Sequence, residues 1–502
     1  MNARDAYRWL RNHSIETRYL GSVGGLAAWD QRTYMPPKGH AHRAEQLAVM
    51  AGLLHEYSTD PRIGEHLSAV EGSDLVTDPA CTESVNVREW RKAYDRETKI
   101  PKQLAKELAR ATAECETVWE KARPKNDWKA FEPRLQKVLK LLHEKAAALG
   151  YEGEAYDALV EDYEAGETAA SLEKTFNSLR NDLVKLLERI RGSSKKPETE
   201  ILKRRFPVEA QAKFGRDVAA AIGYDLKAGR IDTTAHPFTI DIGPGDTRIT
   251  TRYLENFFPA ALFGTVHESG HAMYEQGLPA EYWGTPRGET ASLGVHESQS
   301  RLWENMVARS RGFWKHYFSK AQESFAVLSD VNLESFLLAI NSVKPSLIRI
   351  EADEVTYNLH ILLRFDLELG LMRGDLTVGD LPLAWREKTK KYLGIEPEDM
   401  ASGAMQDVHW SAGLVGYFPT YTLGNIYSAQ LFHTAESELG DLGKQFAKGE
   451  FSPLLNWLRE KIHSQGGKYR PRDLVRQATG ADPDPAYFIT YCENKYGALY
   501  DL

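Results

Sequence analysis

Residues 257–277 read Phe257-Phe258-Pro259-Ala260-Ala261-Leu262-Phe263-Gly264-Thr265-Val266-His267-Glu268-Ser269-Gly270-His271-Ala272-Met273-Tyr274-Glu275-Gln276-Gly277. An apolar run with Pro259 near its start and Gly277 past its end predicts a helix. His267 and His271 are then one turn apart, so both imidazoles leave the same face. Two neutral imidazoles in that arrangement can share one zinc ion. Glu268 lies about 100° further round, at ~3.6 residues per turn. It is too far round to be an obvious third ligand, and well placed to take the proton of a water held at the metal.

A third ligand has to come from elsewhere. A glycine-containing loop, Gly284 to Gly294, leads into Val295-His296-Glu297-Ser298-Gln299, which reads as the start of another helix. Two imidazoles and one further ligand leave an open position on zinc. Neighbours on a helix point apart, so the site takes His296 or Glu297 and not both. The other is then a supporting or substrate-contacting group.

The remaining sequence bounds the setting. The chain has 502 residues, 42% of them hydrophobic, which is ample for a large core. Composition never shifts sharply, so 1–502 is expected to form a single catalytic domain. Lys+Arg number 63 against Asp+Glu 71, a net charge of −8 spread along the chain. That favours solubility and gives no electrostatic case for nucleic acid. Cys81, Cys115 and Cys492 are odd in number and far apart, which suggests a reducing compartment. No apolar leader is visible, and no stretch approaches the ~20 residues needed to span a bilayer. The expected location is cytoplasmic, with no membrane partner.

Most of the chain predicts helices. One or two cover residues 3 to about 30 and are ended by Pro36-Pro37. Another is expected from His42 to Tyr57. Charged, periodic segments follow at 82–99, 101–123, 127–149 and 169–192. Asn126 or Asp127 suits a cap for the third, with Pro133 as an alternative start. Leu135, Val138, Leu139 and Leu142 form one buried stripe. Residues 230–253 differ: an alternating segment ends in Gly243-Pro244-Gly245-Asp246, and β-branched residues follow. This predicts a small β-hairpin or sheet, either to pair with an extended peptide or to brace the helix beside it. Asp482-Pro483-Asp484-Pro485 marks a break before a last helix.

In full, the chain resembles the carboxypeptidase Taq family of HExxH zinc metallocarboxypeptidases. Trp29-Asp30 with Met35-Pro36 is similar to its N-terminal signature. His236-Pro237-Phe238 and Asp246-Thr247-Arg248-Ile249-Thr250 match its HPF and DxRxT motifs. His267 to His271 matches HExxH, and His296-Glu297-Ser298-Gln299 matches its HES-Q motif. Ile348-Arg349-Ile350-Glu351-Ala352-Asp353 and Gly403-Ala404-Met405-Gln406-Asp407-Val408-His409-Trp410 match IRxxAD and GxxQDxHW.

The resemblance implies a mainly α fold similar to neurolysin and angiotensin-converting enzyme. Two helical lobes would flank a deep groove with the metal at its floor and a small β-sheet beside it. It implies a homodimer that removes single residues from free peptide C-termini, with broad specificity and poor action near proline. His267, His271 and Glu297 would hold one Zn2+ per chain, with Co2+ able to replace it, and Glu268 would be the general base. His236 and Arg248, in their motifs, would contact substrate. Arg349 would clamp the terminal carboxylate with its planar fork, unless it pairs with Asp353 one turn on. It is expected to open a helix of about 25 residues. His409, Tyr417 and Tyr421 would include the donor to the oxyanion, although buried aromatic residues also serve packing. The expected reaction is promoted-water hydrolysis. An endopeptidase on the same scaffold would lack the carboxylate clamp, and a silent peptide-binding protein would not need Glu268.

Overall fold

Capped, amphipathic segments turn most of the chain into helix, and the three cysteines remain free. The computed structural model describes residues 2–502. One unbroken helix runs from Ala3 to Thr33, and another from His40 to Ser58. The four charged segments form Thr82–Lys99, Lys102–Ala122, Trp128–Leu149 and Ala169–Gly192. Pro133 does not start its helix. Asp127 caps it by accepting from the Ala130 N–H at 3.1 Å, and Pro133 lies inside. The cap satisfies first-turn donors, and burial of Phe131, Leu135 and Val138 offsets the one N–H that proline lacks.

One large core holds most of these helices, and a smaller one sits at the N-terminal end. The smaller core contains Ala6, Leu10, Ile63, Leu67, Val70 and Val87. A cavity of about 720 Å³ lies between the two, with Leu10, His13 and Ile63 on one side and Pro286, Ala291 and Pro471 on the other. None of His267, His271 and Glu297 lines it. Among the described residues, no helix is long and apolar enough to cross a membrane.

The predicted hairpin gains a third strand. β1 (Ile231–Thr233) pairs parallel with β3 (Asp246–Thr251), and β2 (Thr239–Gly243) pairs antiparallel with it. The order β1-β3-β2 makes β2 an edge strand. Its Ile240 packs against the first helix at Gly25. Behind the sheet runs the helix Phe258–Glu275, buried on every side from Phe258 to Tyr274 except at Ala260, Gly264, His267 and His271. Thr251 Oγ1 on β3 lies 3.0 Å from Thr265 Oγ1, tying strand to helix. The next helix, Leu293–Arg301, crosses at Gly270, where a Cβ would lie 2.6 Å from Ser300 Cα. Only glycine permits that approach.

Candidate active site

The crossing brings the sequence-predicted ligands together. His267, His271 and Glu297 each offer one ligand atom, all within 4.8 Å of one another. Glu297 Oε2 lies 3.6 Å from His267 Nε2 and 3.4 Å from His271 Nε2. Tetrahedral zinc with bonds of ~2.0–2.1 Å separates its ligands by roughly 3.4 Å, so these residues fit the ion. Burial and the neighbouring His296 pull His271 down to about 3, leaving a neutral imidazole at neutral pH. Burial alone would raise the Glu297 carboxyl, but Arg301 and the two imidazoles hold it well below the ordinary range. A neutral imidazole beside an ionised carboxylate is the form that binds a cation.

Each histidine is oriented from behind. His267 Nδ1 lies 3.0 Å from Glu304 Oε2, which leaves Nε2 facing Glu297. His271 Nδ1 lies 2.5 Å from His296 Nδ1, and His296 Nε2 is 2.9 Å from Glu275 Oε1. His296 therefore meets the ring nitrogen of His271 opposite the one that faces Glu297. Glu304, Glu275 and Arg301 were not singled out by sequence. Glu304 had a signal: seven residues past Glu297 is close to two turns at ~3.6 residues each, on the same face. It sits where the helix widens into π-turns over Leu302–Ala308.

Glu268 points toward the sheet. Its Oε2 accepts from Thr239 Oγ1 of β2 at 2.6 Å. Burial raises its pKa above the ordinary value, opposed by His267 and by the Thr239 bond. A carboxylate with raised basicity beside the ligand set suits proton transfer.

The polar groups downstream form a second cluster. Arg349 is buried, but it does not open a long helix; it sits in the short turn Arg349–Glu351, and the helix Glu354–Arg373 follows. Asp353 caps that helix by accepting from Val355 and Thr356 N–H groups at 3.0 Å, so it is not the partner of Arg349. Arg349 Nε and Nη2 instead donate to Asp407 Oδ1 at 3.1 and 2.9 Å, and Arg364 Nε donates to Asp407 Oδ2 at 2.7 Å. Arg349 Nη1 also donates to Tyr357 Oη at 3.1 Å, while the Tyr357 ring lies 4.4 Å from the Arg301 guanidinium.

His409, Tyr417 and Tyr421 meet beside this cluster. His409 Nε2 lies 3.4 Å from Tyr421 Oη, and its buried Nδ1 has no partner. Burial pulls His409 down to about 4, so it is neutral near pH 7. The Tyr417 ring lies 5.6 Å from His409 and 5.4 Å from Tyr421. The irregular segment carrying His409 and Tyr417 is anchored by Glu368, another residue sequence did not reveal, and Tyr421 follows on the helix Pro419–Leu439. The Glu368 carboxyl accepts from Trp410 Nε1 at 2.8 Å, Tyr156 Oη at 2.8 Å and Gly416 N–H at 3.1 Å. The HPF and DxRxT motifs lie on and beside β2 and β3, the strands next to Glu268. His236 stays exposed between β1 and β2, and Arg248 on β3 is paired with Asp246 by two bonds of 2.7 Å and stacked on Trp29.

The carboxypeptidase Taq (M32) metallopeptidase family matches residues 10–496. The chain belongs to that family. It is 58% identical over 510 residues to thermostable carboxypeptidase 1 of Thermus thermophilus, covering 100% of both chains. It is 38% identical over 480 residues to carboxypeptidase 1 of Bacillus subtilis, covering 95% of each. The crystal structure of an M32 carboxypeptidase from Deinococcus radiodurans superposes with a TM-score of 0.96 at 39% identity, covering 99% of this chain and 100% of that one. The M32 fold is thus mainly α here too, and the chain is a metallocarboxypeptidase that binds a divalent metal and acts on peptides.

Proposed function

We propose that this M32 enzyme releases single residues from free peptide C-termini, with broad specificity, by promoted-water hydrolysis at one zinc ion held by His267, His271 and Glu297. One observation carries the reading: Tyr357 joins Arg349 to the ligand set. Its hydroxyl accepts from Arg349 and its ring lies against Arg301, which in turn holds Glu297 at 2.7 Å. Arg349 and Arg364 share the single carboxylate of Asp407, so that group attracts a further anion. A terminal carboxylate taken there places the last peptide bond near the ligands.

Zinc, or cobalt in its place, would supply a Lewis acid and lower the pKa of water. The chain's own residues do the rest. Glu268 takes the proton of the attacking water and passes it to the leaving amine. Neutral His409, with Tyr421 and Tyr417 beside it, donates to the developing oxyanion. Arg349 binds the terminal carboxylate, while His236 and Arg248 contact substrate further along. Edge strand β2 can take an extended peptide by main-chain pairing. A single domain, a homodimer and a cytoplasmic location complete the proposal. Mass spectrometry of one mixed peptide set tests it: ladders of single C-terminal losses are expected, and internal cuts would favour an endopeptidase.

A further inference from the structure

The two oxygens of Glu297 serve different partners. Oε2 faces the imidazoles, 3.6 Å from His267 Nε2 and 3.4 Å from His271 Nε2. Oε1 accepts from Arg301 Nε at 2.7 Å. Arg301 comes one turn later on the same helix, and it is held on two other sides. Its Nη1 lies 3.5 Å from Glu304 Oε2, the carboxylate that orients His267, and its guanidinium stacks on Tyr357 at 4.4 Å.

We propose that Arg301 is a positioning residue that restricts Glu297 to ligation through one oxygen, which keeps a coordination position free for the reacting groups. The inference rests on the metal-centre reading above. A carboxylate within reach of a divalent ion can bind through one oxygen or two. Two-oxygen binding by Glu297 would consume the position that a catalytic metal must keep open. A charge-assisted bond to Oε1 opposes that swing. The donor cannot follow the carboxylate, because Glu304 and Tyr357 fix it. The same guanidinium balances the charge of one of the two carboxylates packed behind the ligands.

The test is to load the protein with Co2+ and read its coordination. X-ray absorption of the native protein should count one carboxylate oxygen from Glu297, with the intense visible absorption of a four-coordinate site. R301M should give the weaker absorption of a five-coordinate site and lose roughly ten- to hundredfold in kcat, the range for residues behind metal ligands. R301K, which retains a charged donor, should return toward the native spectrum. Two Glu297 oxygens on cobalt in the native protein would overturn the proposal whatever the variants do. So would a folded, cobalt-loaded R301M with the native spectrum. A native chain that takes up no metal sinks the metal-centre reading itself, a result distinct from either of these.

Discussion

Gly424 lies directly against Glu297. A Cβ at position 424 would sit 2.7 Å from Glu297 Cγ and 2.8 Å from its Cβ. The helix Pro419–Leu439 therefore backs Glu297, and the lack of a side chain at position 424 is what lets it lie that close. Gly424→Ala should displace Glu297, lower metal content and cost ~1–3 kcal/mol of stability through overpacking. Elemental analysis and thermal unfolding measure both, and full metal content in that variant would show that the carboxylate is positioned from elsewhere.

The ligands themselves give a sharper outcome. His267→Ala and Glu297→Ala should each lower metal content strongly, because each removes one of three ligand atoms that lie within 4.8 Å. Full occupancy in Glu297→Ala would move the third ligand to another residue.

Glu268→Gln separates binding from chemistry. The substitution preserves size and the contact with Thr239 while removing the base. Metal content and folding should stay near native, and kcat should fall at least roughly hundredfold. A variant with most of its activity would assign water activation to another group.

Arg349 decides between exopeptidase and endopeptidase. If it clamps the terminal carboxylate, C-terminally amidated peptides should be cut roughly ten- to hundredfold less well, from a lost charge-assisted bond of ~1.5–3 kcal/mol. Arg349→Ala should cost a similar amount on free-acid peptides and much less on amidated ones. That non-additivity matters because Arg349 also holds Asp407, so its loss disturbs packing on either substrate. Equal cleavage of both peptides at the same bond would remove the carboxypeptidase assignment of this arginine.

Burial gives His463 a measurable acid penalty. Its Nε2 lies 3.0 Å from Gln299 Oε1, its Nδ1 has no partner, and burial pulls it down to about 3. As pH falls below the unfolded value of ~6.5, the unfolded chain takes up this proton first. Stability from this group is then lost at ~1.4 kcal/mol per pH unit until the folded value is reached. His463→Asn should remove that slope, so its denaturant midpoint should fall less than the native one between pH 6.5 and about 5.5. Parallel pH profiles would count against a neutral, buried His463.

Local pattern made much of the site legible. The spacing of His267 and His271 requires only helical period, and the proline and glycine punctuation of their helix is a backbone property. Glu297 was legible only as one of two neighbours until the family resemblance favoured it, and the seven-residue step from Glu297 to Glu304 is the one local signal for the carboxylate behind His267. Arg349 shows where local reading fails. Its spacing to Asp353 suited a one-turn ion pair, yet Asp353 is drawn to unpaired N–H groups at a helix start, and Asp407 takes the guanidinium from 58 residues away.

Sequence by itself determined the mainly α class, the two-histidine face and the glutamate between those histidines, because each depends on contacts within a few residues. Tertiary structure decided which oxygen of Glu297 faces the imidazoles, what stands behind each histidine, and where Glu368 anchors the His409 segment. The first two come from helices that cross where Gly270 and Gly424 leave room, and the third from a carboxyl that meets Trp410 from 42 residues away. A close crossing depends on side chains distant in the chain fitting one volume, and no periodicity encodes that.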